Sequence, residues 1–184
     1  MKAAIRQAAD ALLAGGVIAY PTEGVFGLGC LADNVAAIER ILRIKRRDPS
    51  KGLILIASRR DQLEGWVVAD DLEQIPEPDP AQPTTWIVRP GEAVPELVRG
   101  EHPGVAVRLT GNPTARAICE TVDMPITSTS ANFSGRPVAR NGLVLRRQFG
   151  ALVDYIVPGA CGPARGPSAI KVLGSEQTIR SSSE

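Results

Sequence analysis

The chain has one histidine, three cysteines and few aromatic residues, 4% of its 184 positions. Each shortage excludes something. His102 alone, followed directly by Pro103, cannot build a multi-histidine metal site and would leave a histidine-based triad resting on one residue. Cys30, Cys119 and Cys161 are odd in number and far apart. Neither a disulfide framework nor a close-spaced thiolate metal site fits them, and buried free thiols are the expectation. Lys and Arg exceed Asp and Glu by one, 21 against 20, so the molecule as a whole has no electrostatic bias towards nucleic acid or membrane, and any basic site must be local. No apolar run reaches the roughly 18 residues that cross a bilayer, and the opening MKAAIRQAADALLAGG carries Asp10 within an amphipathic pattern. A soluble, cytoplasmic protein with no membrane partner is expected.

With 43% hydrophobic residues, the chain can bury one core, so a single domain over 1–184 is expected, its core at about 2–174 and its SSSE tail frayed. Apolar residues three and four apart predict a helix over 2–14, stopped by Gly15-Gly16. A second helix, capped by Asp33 or Asn34, carries Val35, Ile38, Ile41 and Leu42 on one face and must end before Pro49. VIAY, LILIA, TTWIV, VAVRL, PITSTS, DYIVP and SAIKVL read as strands, Asn112-Pro113 opens a helix, and GLVLRRQFG is another. Four prolines within Ile75–Pro83 make that stretch a surface loop. Alternating strands and helices predict an α/β fold with a twisted, open, mixed or largely parallel sheet. In such sheets ligands gather at the carboxyl ends of strands.

Three polar stretches are candidates for chemistry. YPTEGVFGLGC, Tyr20–Cys30, offers the Thr22 hydroxyl among glycines that permit close backbone approach; a plain glycine-rich turn is the simpler account. It is no P-loop, since GxxxxGK[ST] is absent. RIKRRDPSKG, Arg43–Gly52, gathers Arg43, Lys45, Arg46, Arg47 and Lys51. This is either a solvated helix end or, if Lys45 and Arg47 lie in extended backbone and share a side, a pair of cations suited to polyphosphate. PITSTSANFSGRP, Pro125–Pro137, is either a local turn network or a strand end that sets Ser128, Ser130 and Asn132 on one side, where neutral donors and acceptors bind phosphate, ribose or a base edge.

The order YPTEGVFGLGC, IKRRDPSKGLILI, VAVRLTGNP and PITSTSANFSG resembles the YrdC/TsaC family of threonylcarbamoyl-AMP synthases from about Val17 to Ser168. The resemblance implies a YrdC-like domain in its short form, with a concave basic cleft. It also implies a reaction in which L-threonine, bicarbonate and ATP, with Mg2+, give threonylcarbamoyl-AMP and pyrophosphate. Partner proteins of the threonylcarbamoyl-transferase complex then place the group on adenosine 37 of tRNAs reading ANN codons. The family signature KxR...SxN falls on Lys45, Arg47, Ser130 and Asn132, implying catalytic roles for Lys45 and Arg47 and ATP binding by all four, with Ser128 and Ser168 beside them. Thr22, Arg108 and Thr85 match positions expected to meet threonine. The metal ligands are not implied by any motif.

Departures exist. Asp48 replaces the usual proline after KxR and sets a negative charge beside the phosphate site. EPDPAQPTTW stands where relatives carry a WPGPxT-like segment, and Gly166 displaces Arg165 in RGPSAIKV. Two other readings use the same residues. A non-catalytic module for double-stranded RNA or tRNA would use the basic loop together with Arg59 and Arg60. A carbamoyl-transfer domain of the hydrogenase-maturation type shares the architecture but normally sits in longer chains with zinc-binding cysteines.

Overall fold

The computed structural model describes residues 1–139 and 141–181; positions 182–184 of the tail expected to fray lie outside them. Helix α1, Lys2–Leu13, turns Ile5, Ala8, Ala9 and Leu12 inward, and the chain leaves it through Gly15 at φ +82°. Strands β1, Ile18–Pro21, and β2, Phe26–Gly29, form an antiparallel hairpin. The stretch read as a glycine-rich loop is therefore half strand: Phe26 and Leu28 alternate with Gly27 and Gly29. Helix α2, Val35–Lys45, starts where Asn34 Oδ1 accepts the Ala37 amide at 3.0 Å. There follow β3, Ile54–Ala57; α3, Ala69–Gln74; β4, Thr84–Val88; α4, Glu96–Arg99; and β5, Val105–Leu109. Helix α5, Pro113–Val122, has Asn112 accepting the amides of Thr114 and Ala115. Strand β6 is Ile126–Ser130, α6 is Gly142–Phe149, β7 is Tyr155–Ile156, β8 is Ala169–Val172 and β9 is Thr178–Arg180. Among the described residues no helix is long and apolar enough to cross a membrane.

The strands form one mixed sheet in the order β7-β1-β2-β6-β3-β5-β4-β8-β9. Only β1–β7, β3–β5 and β4–β8 are parallel. Strand ends therefore point both ways, and there is no common carboxyl edge at which ligand loops would gather.

Alternation along the strands decides the layers. Val17, Ala19, Leu55, Ala57, Val105 and Val107 join Ile38 and Ile41 of α2 and Leu145 and Phe149 of α6 in one core. Their neighbours Ile18, Tyr20, Ile56 and Ile126 join Ile5 and Leu12 of α1 and Ala115 and Ile118 of α5 in a second. Helices α1 and α5 lie over β7, β1 and β3. Farther along the same face, across β5, β4, β8 and β9, the sheet becomes the floor of a cavity.

Candidate active site

Register builds the floor. Ser128 pairs with Ile54, Ile54 with Ala106, Ala106 with Ile87 in the next strand, and Ile170 with Arg180. Paired residues share a face, so these side chains, together with Arg108, surface in one hollow of about 520 Å3. Its walls are the β1–β2 turn from Thr22 to Val25, the Arg47–Leu53 segment, the stretch from Val98 to Gly104, and Gly166–Ser168. Gly24 allows the first and last of these to touch: a Cβ there would lie 2.0 Å from the Gly166 carbonyl oxygen. Arg47, Lys51, Arg99, Arg108 and Arg180 all line the cavity, and Glu23 is the one carboxylate among the described lining residues. The cleft is basic although the chain as a whole is nearly neutral.

Glu23 and Arg108 are buried, at 1% and 6% exposure. Glu23 Oε1 accepts the Thr110 hydroxyl at 2.7 Å and the Gly111 amide at 2.8 Å. Its Oε2 lies 3.4 Å from Arg108 Nη2 without hydrogen-bond geometry, and among the described residues neither Glu23 Oε2 nor Arg108 Nε has a hydrogen-bond partner. Burial raises the Glu23 carboxyl, but the Arg108 guanidinium, the Thr110 hydroxyl and the backbone amides outweigh it and hold it below its ordinary value. Arg108 is thus charge-balanced from behind by Glu23 while its side chain lines the cavity, an arrangement that suits an incoming anion.

The two cations of the basic loop do not share a side. Lys45 is the last residue of α2, and Arg46 takes a left-handed conformation, φ 50° and ψ 45°. That turn, not extended backbone, separates them. Arg47 reaches the cavity and is braced by its Nε on the Gly52 carbonyl at 3.1 Å. Burial lowers its pKa, against the opposing pull of Asp48. Lys45 stays behind the wall, donating to the Ser130 carbonyl, to the Asn132 carbonyl at 2.8 Å and to Asn132 Oδ1 at 3.2 Å. Asp48 points its carboxylate at the Ser50 amide, 3.0 Å away, and is absent from the lining.

Ser128 and Ser130 line the cavity as the strand alternation implies, and so does Thr22, whose hydroxyl donates to the Val25 carbonyl at 2.6 Å. Asn132 does not line it. Beyond the strand its carboxamide turns inward, with Oδ1 accepting from Ser130 Oγ at 2.7 Å and Nδ2 donating to the Arg136 carbonyl at 2.6 Å. Ser168 lines the cavity, while Thr85, fully buried, shares a 2.8 Å hydroxyl contact with Ser168 and supports it from behind.

Arg180 was not foreseen. It extends from β9, donates twice to the Ser168 carbonyl at 3.1 and 2.7 Å, and reaches the cavity. Loss of hydration, then the Arg108 and Arg47 guanidinium groups, lower its pKa. Like charges from Arg47, Arg108 and Arg180 therefore crowd this part of the cavity. The β-branched alternation of Thr178-Ile179-Arg180 was the available signal. Arg99 and His102 also line the cavity and were missed because they lie outside every polar run.

The class is a mixed-sheet α/β protein whose uncovered sheet face carries a hollow lined by cations and hydroxyls, the chemistry that suits an anionic ligand. Comparison with known proteins places it further. The chain belongs to the Sua5/YciO/YrdC family, whose model, described as telomere recombination, matches residues 10–182. A threonylcarbamoyl-AMP synthase of Nitrosococcus oceani is 45% identical over 179 residues, covering 96% of either chain. One from Vibrio cholerae is 42% identical over 181 residues, again covering 96% of each. The structure of P. abyssi Sua5 complexed with L-threonine superposes with a TM-score of 0.84 at 28% identity, over 95% of this chain. The present chain spans about half of that one, 52% of its length.

Proposed function

We propose that this chain is a threonylcarbamoyl-AMP synthase, making the adenylate and pyrophosphate from L-threonine, bicarbonate and ATP. The observation that carries the reading is the convergence in one hollow of Arg108, backed by Glu23, with the Arg47 and Arg180 side chains. Likeness to relatives of that name over nearly the full length supports it.

The threonine amine condenses with bicarbonate to give a carbamate and water. A carbamate oxygen then attacks the α-phosphorus of ATP, and pyrophosphate leaves. No protein nucleophile is needed, so the chain's work is to hold two mutually repelling anions together. Arg108, backed by Glu23, takes the threonine carboxylate. Arg47 and Arg180 take phosphate oxygens, with Ser128, Ser130 and Ser168 adding uncharged donors. Thr22 and the apolar floor at Ile54 and Ala106 set the room for the threonine methyl, which is worth about 1–3 kcal/mol against serine.

Mg2+ would enter with the nucleotide. Among the described residues no three His, Cys, Asp or Glu side chains cluster as metal ligands, and Glu23 is committed to Thr110, Gly111 and Arg108. The donors fit an ion held by the triphosphate, which it would serve by drawing charge from the phosphate oxygens. The product is an activated acyl donor, suited to consumption by proteins that modify tRNA. ATP–pyrophosphate exchange tests the reading: exchange that requires both threonine and bicarbonate is expected, and exchange indifferent to threonine would count against it.

A further inference from the structure

Lys45 is 2% exposed, and among the described residues its ammonium has no carboxylate partner. All its donors go to carbonyl oxygens of one turn: Ser130 O, Asn132 O and Asn132 Oδ1. Its own carbonyl accepts the Ser134 amide at 2.9 Å, so main chain and side chain grip the same bend, Ser130 to Ser134, from both ends. Asn132 Oδ1 accepts Ser130 Oγ as well, at 2.7 Å. The position of a cavity-lining hydroxyl is thus set through Asn132 by a cation that does not itself line the cavity.

We propose that Lys45 is a positioning residue whose bound proton is the fastener: protonated, it holds the Ser130–Asn132 turn in the shape that presents Ser130 to the nucleotide, and deprotonated, it releases that turn. The nucleotide part rests on the synthase reading; the fastener does not. A neutral amine has two donors and a lone pair, so at least one of the three carbonyl oxygens would lose its partner and the lone pair would face the others. The charged group bearing on Lys45 is Arg47, and the facing turn, Ala131 to Ser134, contributes no titratable side chain. Burial first, then repulsion from Arg47, bring the Lys45 pKa down to about 7, where a proton is readily lost or gained. A triphosphate on the far side of the Ser130 wall favours the charged form, so nucleotide binding takes up a proton in mildly alkaline solution.

The chain's lysines are Lys2, Lys45, Lys51 and Lys171, few enough to follow individually by carbon-13 NMR of the ε-carbons. In the free protein one signal should titrate near pH 7, and that signal should be absent in Lys45→Arg. Adding ATP without threonine should move that midpoint upward. Calorimetry of ATP binding at pH 7.5, in buffers of different ionisation enthalpy, should register proton uptake by the wild type and none by Lys45→Arg. Wild-type ATP affinity should fall as pH rises from 6.5 to 9, about tenfold for each unit by which ATP raises the midpoint. Lys45→Arg should bind ATP without that slope. No lysine signal titrating near pH 7 in the wild type, or proton uptake that persists in Lys45→Arg, would overturn the proposal. If ATP fails to bind at all, the synthase reading fails, and the free-protein titration still decides the fastener.

Discussion

The two halves of one sheet face differ in what lies over them, and hence in what they do. Over β1, β6 and β3, Tyr20, Ile126 and Ile56 meet α1 and α5 and become core. From the next strand outward, Ala106, Arg108, Ile170 and Arg180 hold equivalent positions in the pleat and floor a cavity. Backbone geometry is common to both halves. The difference lies in helix coverage and in the replacement of large apolar side chains by cations, hydroxyls and a small residue. Function here sits where a sheet face was left without a helix.

That contrast can be broken from either side. The largest effect should come from the covered half. Ile118→Ala, at a fully buried site under α5, should cost about 2–5 kcal/mol of stability in denaturant unfolding, with the turnover of the molecules still folded unchanged. In the open half the signs reverse: Arg47→Ala should remove about 1.5–3 kcal/mol of transition-state binding, read as a 10- to 150-fold loss in kcat/KM, with a melting temperature close to wild type.

Glu23 belongs to both halves, being buried yet backing a ligand-facing arginine, and Glu23→Gln should cost about 1–3 kcal/mol of stability near neutral pH. Its folded pKa lies below the ordinary 4.5, so the stability it contributes is complete above that value and fades as pH falls through the lower, folded one. The gap between wild type and Glu23→Gln should therefore close in acid; a gap constant from pH 7 to pH 3 would remove the ionic account. Ser128→Ala should have the smallest effect, about 0.5–1.5 kcal/mol in nucleotide affinity by calorimetry, with unfolding unchanged.

Much of this was legible in the chain. Helix faces, the Asn34 and Asn112 caps and most strands follow from periodicity and local chemistry, and Thr22, Arg47, Arg108, Ser128, Ser130 and Ser168 do line the hollow. What escaped depended on a single dihedral or on which strands paired. One left-handed residue, Arg46, sends Lys45 behind the wall and Arg47 in front of it, and no local propensity announces that in a non-glycine residue. Glycines disguised β2, although Phe26 and Leu28 kept the two-residue period. Arg180 enters the site only because β9 folds back on β8 as an antiparallel hairpin, in a stretch read as the start of the tail. Thr85 shows the converse: the residue meets the site through Ser168 and not directly.

The most direct test of the open-face account uses labelled bicarbonate with ATP, Mg2+ and L-threonine, comparing the wild type with Ala106→Trp, whose indole would fill the floor of the cavity. The account predicts label in an adenylate from the wild type only when threonine is present, and none from a folded Ala106→Trp protein. Label incorporated without threonine, or at the wild-type rate by Ala106→Trp, would contradict it.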